Sequence, residues 1–397
     1  MMSDLGLLQS IVQSRRGDRA EFLNTAWTIQ IIRGIVLAGV MLAVALCLGW
    51  AISNGWTSPS TVYGNKLLVD VLLVVAIVPV INGLESTRMY LANRRLQVRK
   101  IAMLEIVSQT AGLSVMIVIA WRFGNIWSLA IGVIITSVVR TILSHDWFPG
   151  EKHKLQLSKD SMDEIIHFGK WVLLSSLAGF VLNQGDRILL GGLVDAGQLG
   201  VYSIAYFLAS AVLLGLGKLS RTVLFPILSK VAREEPQELK SQYYRLRARV
   251  DVVAFTVAGL LFISGTSIIN FLYDPRYSHA GWMLEILGLS VIGVGSILSE
   301  QVFLATGNSK WLSVVTGIQT IFLYVGLPMA YSIGGLYAAV WVIALLFVPK
   351  YLLASWYLSR LKILSLKHEI RFIPFMILGG LTGMLVSTVL GLFNEQR

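Results

Sequence analysis

Near the middle of the chain, Asn183, Gln184, Gly185, Asp186 and Arg187 follow one another inside an otherwise apolar run from about residue 170 to 193. On insertion scales a charged side chain at the centre of a membrane helix costs roughly 2.5 to 3.5 kcal/mol, so no lipid-facing helix keeps such a segment. Two kinds of chemistry are open to it. The polar groups can lock this helix to a neighbour through hydrogen bonds, or they can line a water-filled path and bind a charged solute. Asp186 and Arg187 are adjacent, about 100° apart on a helix, so they do not both face one partner. Arg187 therefore reads as pointing to a cavity or to an acid on another helix.

Other intramembrane ions sort by depth. Arg33 stands about eight residues into its apolar run, ~12 Å by helical rise, whereas Asp186 and Arg187 stand ~24 Å from the basic end of theirs. Arg88, Arg140, Lys218, Arg221 and Lys350 fall in the inner half or at the inner edge, and Glu285 on the outer side. Acids near the inner edge are fewer: Glu85, Glu105, Asp251 and Glu300. A cation-rich inner half with a mixed site further out suits a path that admits a bulky anion, because guanidinium groups bind phosphates through several charge-assisted hydrogen bonds. The competing reading of Arg140, Lys218, Arg221 and Lys350 is that they snorkel to headgroups. Arg33 is deeper and flanked by apolar residues, which favours function. The expected binding residues are thus Arg33, Arg140, Asp186, Arg187, Lys218 and Arg221, with Asn183, Gln184 and Glu285 as a polar helix site.

Catalytic chemistry has no comparable candidate. His145, His153, His167, His279 and His368 are scattered over loops and span ends without metal-ligand spacing. The sequence holds one cysteine, Cys47, within an apolar run, which excludes a disulfide framework. Neither a phosphate-binding Walker loop nor a GxSxG nucleophile elbow occurs. No enzyme activity, cofactor or metal is expected.

The elements that position these residues follow from composition. Of 397 residues, 55% are hydrophobic and 14% charged, far from the soluble average of about 25% charged. The reading is an all-α polytopic membrane protein. Runs of about 20 residues, enough to cross ~30 Å of hydrocarbon, fall near 25–50, 66–91, 101–120, 125–144, 170–193, 200–229, 250–272, 282–305, 311–332, 336–357 and 372–393, about eleven in all, with a kink expected at Pro79. The net charge of +11 does not point to nucleic acid, because the basic residues gather in alternate loops. Arg15, Arg16 and Arg19, then Arg94, Arg95, Arg99 and Lys100, then Lys152, Lys154 and Lys159 open one series, and the intervening loops carry only Arg122 and Arg276. The basic loops face the cytoplasm, which places the amino end inside and Arg397 outside. The first residues lack the order of a signal peptide. All loops are too short for an extramembrane catalytic domain. Around 230–249, mixed charge with Tyr243 and Tyr244 reads either as a surface-lying amphipathic helix or as a solvated linker.

The hairpin with central NQGDRILLGGLVDAGQLGVYSIAY, followed by LFPILSKV, resembles the seventh and eighth helices of bacterial polysaccharide flippases of Wzx type, in the multidrug/oligosaccharidyl-lipid/polysaccharide exporter superfamily. The stretch GLLQSIVQSRRGDRAEFLNTAWTIQIIRGIVLA is similar to that family's entrance to the third helix. The resemblance implies two helical bundles around a central cavity and alternating access. It also implies movement of an undecaprenyl-pyrophosphate-linked oligosaccharide from the cytoplasmic to the periplasmic leaflet of the inner membrane, with basic residues holding the pyrophosphate. The implied partners are the lipid-linked oligosaccharide, the bilayer, and the polysaccharide polymerase and export machinery. Measured from the hairpin, residues 1–150 form an incomplete amino-terminal bundle of four helices where six are expected. Residues 151–358 then form a six-helix bundle and 359–397 an extra helix. Two other readings stay open: a drug or cation antiporter of the same superfamily, which needs carboxylates such as Asp186 and Glu285 at depth, and a membrane polysaccharide polymerase, which needs a larger outer loop.

Overall fold

The computed structural model describes residues 7–394 except 8–9, 12–13, 15, 96, 151–152, 220–224, 306–309, 366–367 and 369–370. Among them every long regular element is a helix, and the chain is an all-α multi-pass membrane protein. It divides into two compact units, Met1–Phe180 and Val181–Arg397. The division falls inside one long helix.

In the first unit, α1 spans Ala20–Ser53. The expected kink at Pro79 is a break: α2, Lys66–Val75, stops one turn before the proline, and α3, Val78–Gly83, restarts with it in its first turn. A proline there has no N–H to donate and its ring crowds the preceding turn. Close packing repairs the break. Gln30 of α1, 1% exposed, donates from Nε2 to the carbonyls of Asn82, Gly83 and Glu85 at 3.0 to 3.2 Å. A Cβ on Gly34 would lie 2.5 Å from the Pro79 carbonyl oxygen, so the two backbones touch there. Next come α4, Arg88–Arg94, α5, Val98–Phe123, and α6, Trp127–Asp146. The segment after α6 returns along α1 as an extended strap. The backbone N–H groups of Lys154, Gln156 and Ser158 donate to side-chain oxygens of Asn24, Thr28 and Thr25, each at 3.1 Å. Helix α7, Lys159–Gly191, then leads into the second unit.

There, α8 spans Ala196–Leu219, α9 Phe225–Glu234 and α10 Leu239–Leu272. Helix α11, Ala280–Gly288, continues through a tighter turn at Leu289–Gly293 into α12, Val294–Ala305. This is the central element: 67% of its most apolar stretch is buried, against 39% or less for the other candidate spans. Helix α13, Lys310–Ala344, is followed by α14, Phe347–Arg360, and α15, Ile373–Asn394. Glycines let α15 lie directly on α10, where a Cβ on Gly259 would stand 2.1 Å from the Met376 carbonyl oxygen.

Nine helices among the described residues are long and apolar enough to cross a membrane. The eleven spans read from sequence differ in two places. Val314–Arg360 counts as one, yet the chain reverses within it. Gly334 and Gly335 leave helical geometry, Gly335 with φ +60°; Gln319 donates to the Leu346 carbonyl across the turn at 3.1 Å. The other is α7, Lys159–Gly191, which those nine do not include. At Tyr243 and Tyr244 the structure departs from the surface reading of 230–249. Helix α10 runs unbroken from 239, with Tyr243 0% and Tyr244 6% exposed in the core. Tyr244 accepts from the Ser365 N–H at 2.8 Å, so a tertiary contact claims the ring that periodicity left on the surface.

Candidate functional site around Arg187

Helices α7 and α8 form a hairpin whose turn is closed by Asp195, the Oδ1 of which accepts from the Gln198 N–H at 2.9 Å. The antiparallel return sets α8 residues against the polar segment of α7. Asp186, 4% exposed, accepts a hydrogen bond from the hydroxyl of Tyr202, 0% exposed. Arg187 is half-buried. Its guanidinium carbon lies 5.0 Å from the centroid of the Tyr206 ring, and Nη1 donates to Gln184 Oε1 at 3.3 Å. A cation held over an aromatic face keeps its full charge. Asp186 thus ties α7 to α8, and Arg187 has no carboxylate in ion-pair contact among the described residues.

The structure gathers Gln184, Asp186 and Arg187 into one cluster, with Asn183 exposed at its edge. It places the other expected site residues elsewhere. Glu285 of α11 accepts at Oε1 from the Thr266 N–H at 3.1 Å and the Thr266 hydroxyl at 2.7 Å, joining α11 to α10. Arg140 of α6 bridges two acids, Glu85 at 3.1 Å and Glu105 at 3.1 Å. Lys218 is exposed in the last turn of α8. Arg221 lies outside the described residues. Arg33 is half-buried on α1, next to the Gly34 contact with α3.

Sequence reasoning did not assign Tyr202 and Tyr206. Their signal was available: four residues apart, both rings project from one side of α8, with centroids 5.8 Å apart. It also left Asp251, Glu300 and Lys350 as span-edge ions. In the structure Arg247 and Asp251, 4% and 1% exposed, pair at 2.8 Å along α10, and Arg247 Nη1 donates to the Tyr243 hydroxyl at 2.9 Å. Lys350 of α14 pairs with Glu300 of α12 at 2.6 Å. Tyr243 and Ser299 share a hydrogen bond of 3.0 Å, which joins α10 to α12.

Interrupted membrane helices with buried polar groups between them are features that many membrane transporters share. The sequence matches the polysaccharide biosynthesis protein family over residues 1–282, and the chain belongs to that family. It is 24% identical over 292 residues to the lipopolysaccharide biosynthesis protein WzxC of Escherichia coli K12, covering 72% of this chain and 56% of that protein, so the match spans little more than half of the relative's length. It is 24% identical over 387 residues to the teichuronic acid biosynthesis protein TuaB of Bacillus subtilis 168, covering 94% of this chain and 76% of TuaB. Among solved structures it is similar to the lipid II flippase MurJ in an inward closed conformation, with a TM-score of 0.60 at 13% identity over 100% of this chain and 97% of that one. An inward-facing MATE family multidrug resistance transporter of the MOP superfamily gives the same TM-score, 0.60, at 13% identity over 98% of this chain and 87% of that one. At these identities the likeness shows the fold.

Proposed function

We propose that the protein is a flippase of the cytoplasmic membrane that carries a lipid-linked oligosaccharide outward by alternating access, with its amino end in the cytoplasm. The reading rests on one observation above the others: Arg187, half-buried on α7, has neutral partners, whereas Arg140, Arg247 and Lys350 are each neutralised by carboxylates. A diphosphate bridging lipid and sugar supplies the anion that such a guanidinium lacks, through two or more charge-assisted hydrogen bonds. The family match to polysaccharide biosynthesis supports a carbohydrate cargo. The carboxylates that a cation or drug antiporter needs, Asp186 and Glu285, are engaged by Tyr202 and Thr266. Arg33, on α1 of the first unit, is assigned the same phosphate chemistry and is tested on its own.

Reconstituted into liposomes carrying a fluorescent polyprenyl-diphosphate oligosaccharide, the wild-type protein exposes the sugar of the inner leaflet to an external lectin. Arg187→Ala abolishes this and Arg33→Ala reduces it, with both variants inserted normally. Unchanged movement in Arg187→Ala overturns the phosphate assignment.

A further inference from the structure

Another side of α7 is gripped by α13. Tyr324 Cε2 and Leu323 Cδ2 each lie 2.9 Å from where a Cβ on residue 185 would stand. Gly185 is therefore what allows the two helices to meet at this level. The Tyr324 hydroxyl donates to the carbonyl of Val181 at 3.1 Å. In an α-helix that carbonyl is the acceptor for the N–H of Gly185 itself, so a single side chain touches both ends of the same turn. Seven residues further along α13, two turns on and on the same face, the Tyr331 hydroxyl donates to the Leu193 carbonyl at 2.7 Å. Tyr202 of α8 meanwhile holds Asp186.

The turn that carries Arg187 is thus fixed from two sides. Rotation of α7 about its axis would take Arg187 off the Tyr206 face, and the Tyr324 contact opposes rotation where Arg187 is one half-turn away. We infer that Tyr324 is a positioning residue for Arg187: it touches no solute, but it sets the direction in which the guanidinium is offered. The consequence for transport rests on the phosphate role proposed above for Arg187, whereas the positioning itself does not.

Two readouts test this in the full chain in detergent. In a Cys47→Ser background, the rate at which a methanethiosulfonate reagent modifies Arg187→Cys reports the exposure of position 187. Adding Tyr324→Phe, which keeps the ring and removes only the hydroxyl, changes that rate about threefold or more, in line with the loss of one intramembrane hydrogen bond. An unchanged rate overturns the inference whatever the substrate. The second readout is affinity for inorganic pyrophosphate. Tyr324→Phe weakens it about three- to fivefold, and the thermal midpoint stays within a degree or so, as one lost helix contact of this size predicts. If Arg187→Ala abolishes binding while Tyr324→Phe binds as wild type, positioning is overturned and the phosphate role stands. If Arg187→Ala binds as wild type, the phosphate role fails and the labelling rate alone decides the positioning.

Discussion

The α7–α8 hairpin and the α10–α12–α14 end of the same unit use buried charge in opposite ways. At the second, Arg247 meets Asp251 at 2.8 Å and Lys350 meets Glu300 at 2.6 Å, and all four are close to fully covered. Opposite charges cancel and the surrounding hydroxyls of Tyr243 and Ser299 complete the network. In the hairpin the acid and the base are neighbours in sequence yet make no ion-pair contact with one another among the described residues. Asp186 turns to a tyrosine hydroxyl, and Arg187 to an aromatic face and an amide. A cancelled pair can hold helix ends in register. An uncancelled cation can bind an anion that arrives later. The first unit repeats the cancelling pattern at Arg140, which lies between Glu85 and Glu105.

The contrast can be broken from the cancelled side, where the effect is largest. Removing one member of a buried pair leaves the other uncompensated, so Asp251→Ala destabilises the protein by about 3 to 5 kcal/mol. Replacing both members with apolar residues of similar volume, Arg247→Met with Asp251→Leu, is close to neutral. Chemical denaturation in detergent separates the two outcomes. Equal losses in the single and double variants would mean that the pair does more than cancel charge.

A smaller effect sharpens the role of the strap in the first unit. His153 belongs to that segment, its ring stacked on Trp27 at 5.2 Å and its Nε2 2.8 Å from the Ser86 hydroxyl. Burial, then the Arg88 charge and His145, push its pKa down to about 4 from the model-compound value of 6.5. A detached histidine takes up its proton near pH 6.5 while the docked one resists until about 4, so docking is strongest above that window and weakens as pH falls through it. Hydrogen exchange at the amides of Lys154, Gln156 and Ser158 is therefore faster at pH 5 than at pH 7.5, after correction for intrinsic rates. His153→Phe, which keeps the stacking and cannot titrate, loses that dependence.

Much of the fold was legible because hydrocarbon thickness and the 1.5 Å rise of a helix leave few ways to arrange long apolar runs. The Pro79 break and the Gly334–Gly335 reversal were visible for the same reason: proline and paired glycines interrupt a helix locally. The interruption at Leu289–Gly293 was not, because nothing in LSVIG forbids an α-helix and the tightening comes from tertiary packing. The polar segment at Asn183–Arg187 announced itself by cost alone. What sequence could not separate was the fate of each charge. Arg140, Lys350 and Arg187 are alike as span-embedded cations, and only the helices brought alongside decide which is neutralised. Arg140's partners lie 35 and 55 positions away, and Lys350's lies 50 away. Tyr206, which distinguishes Arg187, is on the facing helix.

The central claim is that Arg187 is a presented cation awaiting a phosphate. Calorimetric titration of the detergent-solubilised full chain with a short polyprenyl diphosphate tests it directly. Losing one charged hydrogen-bonding partner worth about 2 kcal/mol predicts an affinity about thirtyfold weaker in Arg187→Ala than in wild type, with Arg187→Lys between them. Equal affinities in wild type and Arg187→Ala would contradict the claim.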